Sequence, residues 1–83
     1  MTPQLHPSVV ATTTDSGMVL LHQDSGRYYE LNPTGATIVQ SLADGTDPVQ
    51  ELMRRTSVSQ DRAAQDVSTF LQSLHSRGLV VQR

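Results

Sequence analysis

The chain of 83 residues has no cysteine, no lysine and only three aromatic residues. Without cysteine it can form neither a disulfide bond nor a thiolate metal site, and thiol redox chemistry is excluded. No apolar run approaches the length of a transmembrane helix, and residues 1–7 lack the basic and apolar regions of a secretory signal. We therefore expect a cytoplasmic protein that does not associate with a membrane.

Positive charge is also scarce, which argues against nucleic acid as a partner. The net charge is −2, and the arginines are scattered apart from the adjacent pair Arg54 and Arg55. A nucleic-acid-binding domain needs clustered cations to replace the counterions of the phosphates. The polar positions of the last predicted helix also include Asp61 and Asp66, which phosphates would repel. A winged-helix DNA-binding regulator stays as the least favoured alternative.

The sequence contains no recognisable catalytic or metal-binding motif. His6, His22 and His75 lie in three different segments, and none has a carboxylate at a motif spacing. No serine lies in a Gly-x-Ser-x-Gly turn, and there is no His-x-x-x-His pair. Gly35 stands alone and does not form a phosphate-binding loop. We expect no catalytic residue, no metal and no cofactor.

The first third of the chain has the pattern of β-strands. Three runs rich in β-branched, apolar or aromatic residues are separated by two similar turns, Asp15-Ser16-Gly17 and Asp24-Ser25-Gly26. This spacing predicts a three-stranded antiparallel meander in which the first and third strands are edges. The predicted strands are Val9–Thr14, Met18–Gln23 and Arg27–Leu31.

The rest of the chain has the pattern of three helices. Asn32-Pro33, Asp47-Pro48 and Ser59 are typical helix starts, while Gly45 and Gly78 are typical helix ends. After the last helix, Val80-Val81 is predicted as a short extended tail. The fold class is therefore α+β, a three-stranded antiparallel sheet followed by three helices, compatible with a winged helix-turn-helix. One domain should occupy residues 1–83, with its core at about 8–81.

The third predicted strand, Arg27–Leu31, has features of a binding edge. As an edge strand it would present unpaired N–H and C=O groups, and it has neither the proline nor the lysine that usually protects such an edge. Tyr28 and Tyr29 supply two aromatic side chains that alternate between its faces. Addition of a strand from a partner peptide is a common recognition mode at such edges, and it is an alternative to a purely structural role.

The order of several motifs resembles the PqqD-like family, the precursor-peptide recognition elements of ribosomal peptide pathways. The first is the segment 25–38, an aromatic strand that ends in Leu31-Asn32 and is followed by Gly35 and an apolar helix. The resemblance continues through Asp44-Gly45-Thr46 and covers residues 8–81. It ends with the pattern Asp66-Val67, Phe70-Leu71, Leu74 and Gly78-Leu79-Val80.

The resemblance implies non-catalytic binding of a precursor's leader segment, which adds to the third strand and lies in a groove beside the third helix. It implies delivery to a leader peptidase of the cysteine-protease type and to a macrolactam synthetase, as in lasso peptide biosynthesis. The alternative is a chaperone for quinone-cofactor (PQQ) synthesis that works with a radical SAM enzyme. The peptide-binding residues carried over are Arg27, Tyr28, Tyr29, Glu30, Leu31, Asp66, Val67, Phe70, Ser73, Leu74 and Arg77.

Three of these residues have assigned places in the expected groove. Val67, Phe70 and Leu74 would form its apolar floor, although core packing is the stronger alternative for Val67 and Leu74. The charged residues among them would form the rim of the groove; these are Arg27, Glu30, Asp66 and Arg77. The free strand edge also allows a dimer.

Overall fold

A computed structural model describes residues 2–82 and confirms the α+β fold class. Eight elements follow one another along the chain, and the expected three-stranded sheet and three helices are among them. Two further short strands lie at the ends of the chain. The elements are β1 (Pro3–Leu5), β2 (Val9–Thr14), β3 (Gly17–His22), β4 (Arg27–Leu31), α1 (Pro33–Asp44), α2 (Pro48–Thr56), α3 (Gln60–Ser76) and β5 (Val80–Gln82).

The larger sheet is the predicted meander, with the strand order β2-β3-β4. Both pairings are antiparallel, and Leu20 of the central strand lies between Ala11 and Tyr29. Leu20 is fully buried, whereas Tyr28 on the opposite face of β4 is 70% exposed. One face of the sheet therefore packs on the core, and β4 is an edge strand as expected.

The smaller sheet was not predicted. β1 pairs antiparallel with β5, with Leu5 opposite Val80 and Pro3 opposite Gln82. β1 has only three residues and begins with proline, so it gives no strand signal of its own. Its partner lies at the far end of the chain, which local patterns cannot reveal. The packed region therefore extends to Pro3, beyond the predicted limit at residue 8.

The three helices begin at the predicted capping residues. The Asn32 side chain accepts a hydrogen bond from the Gly35 amide at 2.8 Å, and Asp47 and Ser59 cap α2 and α3 in the same way. α3 ends where Gly78 has a φ of +73°, and the Leu79 amide donates to the Leu74 carbonyl at 2.9 Å. This reversal brings β5 back against α3, as the Gly78 signal predicted. Among residues 2–82, no helix is long and apolar enough to span a membrane.

The core consists of two apolar clusters. One fills the space between the sheets, α1 and α3, and the other lies among the three helices. Phe70 and Leu71, both partly buried, pack against both clusters and so join them. The buried members are Met18, Leu20, Val39, Leu74, Leu79 and Val80 in the first cluster, and Ile38, Leu52, Ala63 and Val67 in the second.

Candidate functional site

A groove runs between the edge strand β4 and the helix α3. Its wider part is a cleft of about 680 Å³, within the size range of binding pockets in proteins. The start of α1 also contributes to its lining. The lining residues of the wider part are Glu30, Leu31, Asn32, Thr34, Gly35, Ile38, Arg62, Gln65, Asp66, Thr69, Phe70 and Ser73.

The groove continues as a smaller cleft towards the end of α3. This part has a volume of about 240 Å³. Here the guanidinium carbon of Arg77 lies 5.4 Å from the centre of the Tyr29 ring, a cation–π geometry. The contact joins the wall formed by β4 to the wall formed by α3. The lining residues of the smaller part are Tyr29, Glu30, Leu31, Phe70, Ser73, Leu74, Arg77 and Leu79.

Phe70 forms the apolar floor common to both parts of the groove. Its ring packs directly on Gly35 at the start of α1: a Cβ added to Gly35 would lie 2.9 Å from the Phe70 Cζ atom. A side chain at position 35 would therefore push the ring out of its place. This close approach explains the glycine that follows the Leu31-Asn32 motif.

Charged side chains form the rim of the groove. On α3, the Nε of Arg62 lies 3.2 Å from a carboxylate oxygen of Asp66, one helical turn away. Glu30 lies on the opposite wall, formed by β4. The Arg62–Asp66 pair is solvent-exposed, so it contributes little to stability. Such rim charges instead orient a ligand and increase its association rate.

The free edge of β4 is defined by the hydrogen-bond register of the sheet. The Gln23 amide donates to the Ser8 carbonyl at 2.9 Å, one step beyond the pair Val9–His22. Successive residues of a strand direct their backbone N–H and C=O groups to opposite sides. Because Gln23 bonds to the β2 side, His22, Leu20 and Met18 direct their backbone groups to β4. Their partners on β4 are Arg27, Tyr29 and Leu31. The intervening Tyr28 and Glu30 therefore direct their N–H and C=O groups towards the free edge.

The structure places eight of the eleven proposed binding residues on the groove and three elsewhere. Val67 is only 5% exposed and belongs to the helical core cluster. It follows Asp66 directly, and one helical step turns its side chain away from the groove. Tyr28 projects from the outer face of the sheet, and Arg27 is exposed at the start of β4, outside both clefts. The eight on the groove are Tyr29, Glu30, Leu31, Asp66, Phe70, Ser73, Leu74 and Arg77.

Other groove residues were missed by the sequence analysis. On α3, Arg62 and Thr69 lie on the same helical face as Asp66 and Phe70, so extending that stripe by helical periodicity would have found them. The residues from the start of α1 follow only from the packing of α1 beside β4. The additional lining residues are Asn32, Thr34, Gly35, Ile38, Arg62, Gln65, Thr69 and Leu79.

The titratable groups outside the groove give two further observations. On α2, a hydrogen bond from Arg54 at 2.8 Å lowers the pKa of the Glu51 carboxyl below its ordinary value. Next to the turn between β3 and β4, the structure brings His6 and His22 together beside Asp24. Among residues 2–82, this is the one cluster of histidine and carboxylate groups close enough to share a metal ion. It lies outside the groove.

The chain is similar to two protein structures with bound peptides. One is described as "Lasso peptide synthetase B1 complexed with the leader peptide"; it is 35% identical, and the match covers 99% of this chain and 100% of that chain, with a TM-score of 0.88. The other, "TbiB1 in Complex with the TbiA(beta) Leader Peptide", is 26% identical over 96% of each chain, with a TM-score of 0.89. A search of the curated proteins finds no match.

The family model for coenzyme PQQ synthesis protein D matches residues 17–80, which is most of the chain. The matched range begins at β3 and ends in β5. It therefore includes both walls of the groove, β4 and α3. Together with the two similar structures, this match confirms the family predicted from the motifs: the chain belongs to the PqqD family.

Proposed function

We propose that this protein binds the leader segment of a ribosomally made precursor peptide in lasso peptide biosynthesis. The observation that carries the proposal is the free edge of β4 beside a groove with an apolar floor. A strand that pairs with Tyr28 and Glu30 would lie along the edge of β4 beside this groove. The fold thus offers backbone pairing and side-chain pockets at the same place.

Two kinds of interaction would share the work of recognition. Backbone hydrogen bonds to β4 set the register and direction of the peptide without reading its sequence. Alternate peptide side chains then enter the groove, where Phe70 and Leu31 supply apolar contact. The opposite side chains of the peptide lie next to Tyr28 on the outer face, so Tyr28 can contribute as a cross-strand neighbour although it lies outside the groove.

The similar structures support the choice of ligand. Both are described as complexes with leader peptides, and the matches include nearly the whole of this chain. One of them is described as a lasso peptide synthetase component and is 35% identical. On the same basis we propose that the domain hands its peptide to a separate leader peptidase of the cysteine-protease type and then to a macrolactam synthetase.

We propose a non-catalytic role for the domain itself. Among the described residues that line the groove there is no histidine to act as a base, and the carboxylate of Asp66, the nearest acid along α3 to Thr69 and Ser73, is paired with Arg62. A nucleophile needs such a base for activation. The groove therefore suits binding and presentation of a peptide, with the chemistry supplied by the partner enzymes.

A second candidate function is favoured by the family match. The matching family model is that of coenzyme PQQ synthesis protein D, so the leader could belong to a quinone-cofactor precursor presented to a radical SAM enzyme. The groove would work in the same way in both cases. The neighbouring genes distinguish them: a lasso system has a cysteine-peptidase gene and an asparagine-synthetase-like gene beside a short precursor reading frame.

Calorimetry with a synthetic leader from that precursor tests the proposal. We expect a Kd between about 10 nM and 10 μM, because a short added strand with one or two anchored side chains provides about −11 to −7 kcal/mol. A scrambled leader is the control, and promoter DNA should bind no better than unrelated DNA. Absence of binding at high micromolar concentrations of leader would refute the proposal. A dimer that forms through the free edge of β4 should dissociate when the leader is added, because both use the same edge.

Phe70→Leu should weaken leader binding by about tenfold, because the smaller side chain leaves part of the groove floor unfilled. The matched control is Leu71→Ala. Leu71 packs against the same two core clusters as Phe70 but lines neither cleft of the groove. We therefore expect Leu71→Ala to lower the melting temperature while the Kd stays near that of the wild type. Equal loss of affinity in both variants would show that Phe70 acts only through the core.

A further inference from the structure

Three metal-ligating side chains meet at one corner of the molecule, away from the groove. His6 follows β1, His22 ends β3, and Asp24 lies in the turn between β3 and β4. One ligand atom from each lies within 4.8 Å of the others. The two imidazole rings are tilted by 33°, with centroids 5.1 Å apart.

One of the three residues has a ring nitrogen that lacks the partner its buried surroundings require. The Nδ1 atom of His22 is buried, and within residues 2–82 no group forms a hydrogen bond with it. Buried polar atoms in proteins almost always have a partner, because an unsatisfied one forfeits its interaction with water. A cation shared with His6 and Asp24 would satisfy this nitrogen if His22 binds it through Nδ1.

We propose that His6, His22 and Asp24 bind one divalent transition-metal ion, with Zn²⁺ as the reference case. Two imidazoles and one carboxylate form a mixed nitrogen and oxygen set, which favours first-row ions such as Zn²⁺ over Mg²⁺ or Ca²⁺. Ligand atoms around a tetrahedral Zn²⁺ lie about 3.4 Å apart. Ligand atoms as far apart as 4.8 Å must therefore close by about 1.4 Å, and Asp24 is exposed in a turn, where it can move. Water completes the coordination.

Metal binding would change one hydrogen bond in a way that can be measured. His6 Nδ1 accepts a hydrogen bond from the Ser8 amide at 3.0 Å, which places the ring proton of neutral His6 on Nε2. Coordination through Nε2 moves that proton to Nδ1, so the Ser8 amide loses its acceptor. A Ser8 amide that responds to Zn²⁺ is therefore a signature of His6 as a ligand.

The site would tie the two sheets together. The small sheet of β1 and β5 is attached to the large one through residues 6–8, and the His6 amide donates to the Leu79 carbonyl at 2.9 Å. A metal bound to His6, His22 and Asp24 joins that connection to the end of β3 and the following turn. Because the unfolded chain lacks the assembled site, binding stabilises the folded state.

Thermal unfolding of the chelator-treated protein tests the proposal. We expect Zn²⁺ at about a hundredfold above its Kd to raise the melting temperature by about 10 °C or more, and Mg²⁺ to have no effect. His6→Gln, His22→Gln and Asp24→Asn should each weaken Zn²⁺ binding, the histidine variants by about 100-fold or more. His75→Gln is the matched control, since His75 lies on α3 outside the cluster, and it should respond as the wild type does.

Amide NMR provides a readout that does not depend on stability. Zn²⁺ should shift the Ser8 amide resonance in the wild type and in His75→Gln, but not in His6→Gln. Because His22→Gln changes a partly buried position, the exposed Asp24→Asn serves as the second test of the cluster. A wild type without a Zn²⁺-dependent shift, or a His6→Gln variant that binds Zn²⁺ as tightly as the wild type, overturns the proposal. Neither outcome bears on leader binding, which uses the other side of β4.

Discussion

Replacing Tyr28 or Glu30 with proline should weaken leader binding by about 100-fold and leave the fold intact. Both residues direct their backbone N–H groups to the free edge of β4, and proline removes that donor. The partner carbonyl of the leader then stays unsatisfied, and the proline ring hinders close approach of the added strand. The loss corresponds to about 2.7 kcal/mol, in the range expected for a backbone pair that is left incomplete. Calorimetry measures the change in Kd.

The alternation along β4 supplies controls for this prediction. Tyr28→Ala and Glu30→Ala keep the donor, so their effect should be limited to cross-strand side-chain contacts of about 0.2–1 kcal/mol. Tyr29→Pro instead removes the hydrogen bond to Leu20 of β3, so it should lower the stability of the fold itself. If the edge prolines bind the leader as tightly as the alanine variants, strand addition at β4 is refuted.

Hydrogen exchange gives a second view of the same edge. In the free protein the outward amides of Tyr28 and Glu30 should exchange quickly, since they lack a protein acceptor on that side. Bound leader should protect them, while the Tyr29 amide is already protected by pairing with β3. Protection of β2 in place of β4 would mean that the leader adds to the opposite edge of the sheet.

The sequence predicts the elements that carry strong local signals. The two glycine turns between β2, β3 and β4 determine where the strands end, and capping residues such as Asn32 and Ser59 determine where helices begin. These signals act over a few residues, so a single sequence is enough to read them. The family motifs then add the relation of β4 to α3, which no local signal contains.

Features that depend on contacts between distant segments could not be predicted in this way. The pairing of β1 with β5 joins the two ends of the chain. The contact between His6 and His22 depends on the path of residues 6–8 between β1 and β2, and no spacing motif in the sequence indicates it. Val67 was carried over to the groove with the family motif, although core packing was its stronger alternative; the structure places it in the core.

The contact between Gly35 and Phe70 links the stability of the fold to the shape of the groove. The ring of Phe70 reaches into the groove because position 35 has no side chain in its way. The same ring joins the two core clusters. The groove floor is therefore part of the core, and its shape is determined by the packing of α1 on α3. A side chain at position 35 would therefore change the groove even if it did not touch the peptide.

Gly17 is the position at which the smallest substitution should have the largest effect on stability. Its φ is +149°, a conformation that residues with a side chain rarely adopt, and an added Cβ would overlap the Leu31 carbonyl oxygen. Because that oxygen belongs to the backbone, β3 or β4 has to move. We expect Gly17→Ala to lower the free energy of unfolding by about 3 kcal/mol or more, from strain and overpacking together. Equilibrium unfolding in urea measures the change.

Gly26→Ala is the matched control, since it isolates the backbone term. Gly26 also has a positive φ, +74°, but a Cβ added there meets no atom within 4 Å. We expect a loss of only about 1 kcal/mol, the cost of the left-handed conformation for a residue with a side chain. Movement of Leu31 in Gly17→Ala would also displace Asn32, which caps α1 beside the groove. The variant should therefore bind the leader more weakly under conditions where it is still folded, whereas Gly26→Ala should not. Equal losses of stability in the two variants would show that the overlap with Leu31 is relieved without cost.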